Sequence, residues 1–248
     1  MAKNTNFNFF TAPDVDIEMS FTEHLDELRQ RIIVSTIAFV TSSFLSFIVV
    51  KPIIKALQIP AVGIKFLQMA PGEYFFTSVK VSFYCGLVLA IPFILYQVIL
   101  FVFPGMTEQE RKTILPLVCS SILLFVVGLG FGYLILIPAA LSFFINFGSD
   151  VVEPLWSLAQ YFDFILLLLI STGLCFQLPI FQVILGISGV ISGAKMLNAW
   201  KYVIVVSTIL AAFLTPSTDP VTQLLMSGAF LLLYFFGAGL VLILEKSP

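Results

Sequence analysis

Charge is what this chain has least of. Only 10% of its 248 residues are Asp, Glu, Lys or Arg, against roughly 25% in a soluble domain. Histidine occurs once, as His24, and cysteine three times. A single histidine and cysteines that all fall in apolar runs (Cys85, Cys119 and Cys175) exclude both a metal site by spacing and a disulfide framework. With a net charge of −2 there is no basic patch for nucleic acid. No leader is expected within residues 1–19, which have no apolar core for a signal peptide and too few arginines for a transit peptide. They read as a disordered tail ahead of one domain over 20–248.

What the chain has instead is hydrocarbon. Fifty-nine per cent of residues are hydrophobic, which makes an all-α, polytopic membrane protein. The 27 phenylalanines are what an AT-rich genome, such as a plastid's, would favour. Spans are expected at about 32–50, 74–100, 114–137, 162–185, 197–214 and 221–244. Pro138 marks the exit of the third, because 113–149 is too long for one helix. Residues 51–73 and 139–160 are expected as loops, with Trp156 an interfacial anchor. Lys80, inside span 2, is expected to snorkel to the near surface. Span 5 is short, so a bundle built on it would thin the bilayer locally.

Six spans put both termini on one side. Arg29, Arg31, Arg111, Lys112, Lys195, Lys201 and Lys246 lie on that side and outnumber Lys51, Lys55 and Lys65 opposite. The excess of positive charge makes the terminal side cytosolic, or stromal in a plastid.

Polar residues concentrate at that face. Ser20–Glu23 has the form of a capping box, opening an amphipathic helix with Phe21, Leu25 and Leu28 on one side. Glu27 and Arg31 are an i,i+4 pair, worth a few tenths of a kcal/mol on a solvated helix. Between spans 2 and 3 lies FVFPGMTEQERK, where Pro104-Gly105 breaks the chain and four charges follow. Glu110 has two readings: the fourth residue of a T-x-x-E capping box from Thr107, or a carboxylate that takes a guanidinium through two parallel hydrogen bonds, which lysine reproduces poorly.

HLDELRQR before span 1, FVFPGMTEQERK, FQLP in span 4 and LTPSTDPVTQ between spans 5 and 6, in that order, resemble the TatC family, the multispanning receptor subunit of the twin-arginine protein translocase, nearest its cyanobacterial and plastid branch. The resemblance runs from about residue 20 to 244. It implies a concave, glove-like six-helix bundle without catalysis, cofactor or metal. It implies binding of paired-arginine signal peptides on folded passengers, recruitment of TatA-like and TatB-like single-span partners, several copies in a complex, and transport across a thylakoid or bacterial plasma membrane driven by the proton-motive force.

Residue by residue, the resemblance assigns Glu110 and Glu27 to signal recognition. Phe101, Pro104 and Met106 form an apolar lip, Met106 replacing a usual leucine, and Arg29 completes the group. Gln177 stands where many bacterial relatives carry a glutamate; it can hydrogen-bond within the bundle but cannot carry a proton. Asp219 and Gln223 would face partners or the bundle, although Asp219 between Pro216 and Pro220 is also ordinary turn chemistry. His24 is expected on the helix surface, helping to position the N-terminal helix. The competing class is an ion-coupled secondary transporter, for which Lys80 and Gln177 are the only midplane candidates.

Overall fold

A computed structural model describes residues 21–61, 63–102, 108–147, 155–215 and 219–246; for Phe21, Val102, 108–114 and Lys246 it describes the backbone alone. The expected tail 1–19, Ser20 of the first capping box, Thr107 of the second, and Pro104 and Met106 lie outside the described residues.

The described chain is helical apart from one pair of three-residue strands. Helix α1 (Phe21–Ile48) leads into the short α2 (Val50–Gln58). Strand β1 (Lys65–Leu67) precedes α3 (Glu73–Val102). Helix α4 (Glu108–Phe131) runs through a π-turn at Gly132–Leu136 into α5 (Ile137–Phe147). Strand β2 (Leu155–Ser157) leads into α6 (Leu158–Cys175), and α7 (Leu178–Ile187) follows after a two-residue break. Helices α8 (Gly193–Asn198), α9 (Trp200–Leu214) and α10 (Pro220–Lys246) complete the fold. Among the described residues five segments are long and apolar enough to cross a bilayer: 22–48, 73–101, 115–147, 158–187 and 220–245. The shorter α9 has 15 residues, about 22 Å of rise at 1.5 Å per residue, against a hydrocarbon core of about 30 Å.

The helices alternate in direction, so α1, α4, α8 and α9 begin at the end where α10 finishes. Here that is the terminal end, and the end carrying β1 and β2 is the far end.

Several expected boundaries move. The amphipathic helix and span 1 are a single helix, α1. The 51–73 loop contains α2, which buries Val50 and Ile54. Span 3 does not end at Pro138: the chain is helical from Glu108 to Phe147. A proline ring inside an α-helix clashes with the carbonyl four residues back. Here the turn before it is widened, with the Ile137 amide donating to the Gly132 carbonyl five residues back, and the helix absorbs the proline at a π-bulge. Span 4, expected as one helix, is two.

Two main clusters of buried apolar side chains hold the bundle. One, toward the far end, includes Ile54, Val81, Leu136, Phe162, Leu168 and Met226. The other, toward the terminal end, includes Ile99, Leu117, Val183, Met196 and Val241. Helix α1 contributes to neither. Its buried residues are Glu27, Arg31 and Ser46, while Ile32, Ile37, Val40 and Phe44 are exposed. It packs chiefly on α3. The closest approach is at Gly86, where an added Cβ would run into the backbone of Ser43. Small residues at such crossings let helices in a membrane meet by direct backbone packing.

At the far end, β1 and β2 pair in parallel, Lys65 opposite Leu155 and Leu67 opposite Ser157, with Trp156 inside the pair. Glu73, buried at the start of α3, fastens this region. It accepts from the Met69 and Ala70 amides at 2.5 and 3.1 Å, the Ser157 hydroxyl at 2.8 Å and the Ala159 amide at 2.9 Å. Lys80 does not simply reach for the near surface: its ammonium pairs with Asp163 on α6.

Because α1 has no apolar core contact of its own, the Gly86 crossing carries much of its attachment. Replacing Gly86 with Val is expected to cost about 1–3 kcal/mol through overpacking. Thermal unfolding in detergent should show a lower Tm, whereas Ala at the neighbouring lipid-facing Ile37 should leave it nearly unchanged.

Candidate functional site

At the terminal end, the residues assigned to recognition on α1 and α3 are brought together. Glu27 and Arg31 share one face of α1, a helical turn apart, and α3 lays Gln97 and Phe101, also a turn apart, against them. Glu27 is 2% and Arg31 6% exposed, while Leu25 is 47% exposed and Glu23, Asp26 and Arg29 are exposed beside it. Glu27 and Arg31 are the charges that α1 buries here, and α3 offers Gln97 as their polar partner.

The Glu27–Arg31 contact is therefore not the weak surface pair expected from spacing. Arg31 donates from Nε at 2.8 Å, and also from Nη2, to the same oxygen of Glu27, Oε1. Its Nη1 donates to Gln97 Oε1 at 2.9 Å. Removing one partner of a buried pair leaves an uncompensated charge and costs about 3–5 kcal/mol, some ten times a solvated i,i+4 pair. The other Glu27 oxygen, Oε2, is buried and has no hydrogen-bond partner among the described residues. Its nearest charged-group neighbour is His24 Nδ1 at 3.8 Å.

His24 is half-buried rather than on the open helix surface. Its ring stacks on Phe101, centroids 4.4 Å apart and planes within 8°. Beside this stack an open groove of about 270 Å³ runs between α1 and α3. Leu28, Ile32, Leu87 and Val98 make it apolar, and Arg31 and Gln97 line it with polar atoms. Arg29 points away from the cluster and is exposed. Glu110 lies in the first turn of α4, the next helix along, and its side chain is outside the described part. Spacing did not single out Gln97. The available signal was a lone amide in an apolar run, one turn before Phe101.

The other assigned residues lie elsewhere in the bundle. Gln177 is 2% exposed at the α6–α7 break and is doubly bonded to Ser121 of α4. The Ser121 hydroxyl donates to its Oε1 at 2.5 Å, and its Nε2 donates to the Ser121 carbonyl at 3.1 Å. Asp219 is buried at the head of α10, with Pro220 as the first helical residue. It accepts from the Thr222 amide at 2.8 Å and from the Thr222 hydroxyl, an N-cap. Gln223 is half-buried on the first turn of α10.

Comparison with known proteins follows this geometry closely. Residues 23–228 match the family model described as Sec-independent protein translocase protein (TatC). The chain is 58% identical over 243 residues to a protein of Pyropia yezoensis named "uncharacterized tatC-like protein ycf43", covering 98% of this chain and 96% of that protein. It is 54% identical over 242 residues to the Sec-independent protein translocase protein TatC of Synechocystis, covering 95% of each. It is 51% identical over 231 residues to the chloroplastic TATC of Pisum sativum, covering 92% of this chain and 65% of that one. A crystal structure of the twin-arginine translocase receptor TatC superposes with a TM-score of 0.77 at 35% identity, covering 88% of this chain and 99% of that chain.

The Gln177–Ser121 contact gives a clean test of structural glue. Gln177→Met should cost about 1–3 kcal/mol by leaving the Ser121 hydroxyl without its partner. Adding Ser121→Ala should recover part of that loss. A double-mutant cycle on thermal stability checks it; strictly additive losses would deny the coupling.

Proposed function

Since the chain belongs to the TatC family, and is thus an integral membrane component of the Sec-independent twin-arginine translocase of a thylakoid or plasma membrane, we propose that its α1–α3 end receives the paired-arginine motif of signal peptides on folded passenger proteins. The family is one of translocase receptors, not of enzymes, so the task is recognition and assembly. One guanidinium docks on Glu27 and another on Glu110, with the apolar part of the signal against Phe101 and the neighbouring groove. Arg29, Pro104 and Met106 border the site. TatA-like and TatB-like single-span partners join the bundle in a complex holding several copies, near Asp219 and Gln223 among other surfaces, and the proton-motive force drives passage.

The observation that carries this reading is Glu27 Oε2: a carboxylate oxygen, buried, without a hydrogen-bond partner among the described residues, on a carboxylate paired with Arg31, which itself lines the apolar groove. Unsatisfied buried acceptors are costly, and a guanidinium is the donor best shaped to meet one. Lysine offers a compact ammonium and loses the planar fork, which accounts for a preference for arginine.

A photo-crosslinking phenylalanine analogue at position 101 tests it. A paired-arginine precursor should crosslink, and a paired-lysine control should not. Glu27→Gln or Glu110→Gln should each lower the yield about tenfold or more, as expected for losing a charged hydrogen bond. Equal yields from both precursors would place the receptor elsewhere.

A further inference from the structure

The pairing of Arg31 with Glu27 is unusual in where it puts its hydrogen bonds. A guanidinium facing a carboxylate normally lays two parallel donors on two oxygens. Here Nε and Nη2 both fall on Oε1, and Nη1 is drawn aside to Gln97 Oε1. Among the described residues Oε2 is left without a hydrogen-bond partner, although a five-donor group stands next to it and His24 Nδ1 lies 3.8 Å away. The amide of Gln97 must point its oxygen at Arg31, because a guanidinium only donates. Its Nε2 is buried and has no hydrogen-bond partner among the described residues.

We propose that Gln97 and Arg31 are the positioning residues of the signal site: Gln97 holds the Arg31 guanidinium turned away from Glu27 Oε2, and so keeps that oxygen open for the arginine of an incoming signal peptide. Arg31 has a second effect. It already balances the charge of Glu27, so an arriving guanidinium finds a neutral pair with one free acceptor instead of a bare anion. A neutral pair attracts ammonium and guanidinium alike only weakly at a distance; discrimination then falls on hydrogen-bond geometry, in which arginine exceeds lysine. Gln97 Nε2 is suited to a backbone carbonyl of the same bound segment. This inference rests on the reading of Glu27 as a receptor residue.

The test is binding of a fluorescent paired-arginine signal peptide, and of its paired-lysine form, to the full chain in its translocase complex in nanodiscs. In Gln97→Met, Nη1 has lost its acceptor and swings to Oε2, forming the ordinary two-oxygen fork. Affinity for the paired-arginine peptide should fall about tenfold, affinity for the paired-lysine peptide should hardly change, and the ratio between them should collapse. Gln97→Asn keeps a neutral amide acceptor facing Nη1 and should retain that ratio to within about threefold. Unchanged discrimination in Gln97→Met, or its loss in Gln97→Asn with assembly of the complex intact, would overturn the proposal. Glu27→Gln, measured in parallel, separates the two levels. If it binds like the unaltered chain, the receptor reading itself fails. If it loses binding while Gln97→Met does not, only the positioning role fails.

Discussion

A chain in hydrocarbon has no water to complete its hydrogen bonds, so polar groups at helix starts and breaks must find partners within the protein. This constraint organises the structure. The side chain of Gln177, at the α6–α7 break, finds its partners on Ser121 of α4. The head of α10 is answered by Asp219, and the loop before α3 together with the start of α6 by Glu73. The polar residues that sequence reading sorts into functional and merely structural are largely doing this work, and it ties together helices that lipid alone would not drive to associate.

Helix α1 shows the same constraint turned to recognition. Its buried residues are polar and its apolar residues face outward. Such a helix gains little from apolar packing and is held by a small-residue crossing and by a charged network. In the proposed reading the network is also the site. A receptor carboxylate held by its own chain's arginine, on two rigid helices, is oriented before any ligand arrives, which lowers the ordering cost of binding. The stacked pair of His24 and Phe101 fixes the aromatic edge of the site in the same way.

The six apolar runs, their order and the terminal-side cluster were legible in the sequence because hydrophobic length and motif order are local properties. What was not legible depended on partners far along the chain. Spacing alone makes Glu27 and Arg31 a solvated pair; only the approach of Gln97, 66 residues beyond Arg31, buries them. Pro138 reads as a helix end, and only the π-turn before it shows otherwise. Asp163 drew no notice until α3 placed Lys80 beside it.

The far-end fastening also sets an order of events during synthesis. Glu73 emerges from the ribosome 84 residues before Ser157 and 86 before Ala159, its partners across the bundle, and β1 likewise waits for β2. The first two helical crossings therefore enter the bilayer with this carboxylate lacking those two donors. Its Oε1 bonds form only when the start of α6 arrives, on the same side of the membrane, after the long α4–α5 helix has crossed. Closure of the far end is thus a late step of biogenesis. A chain halted before residue 155 would hold Glu73 Oε1 without its Ser157 and Ala159 donors and β1 without its partner strand.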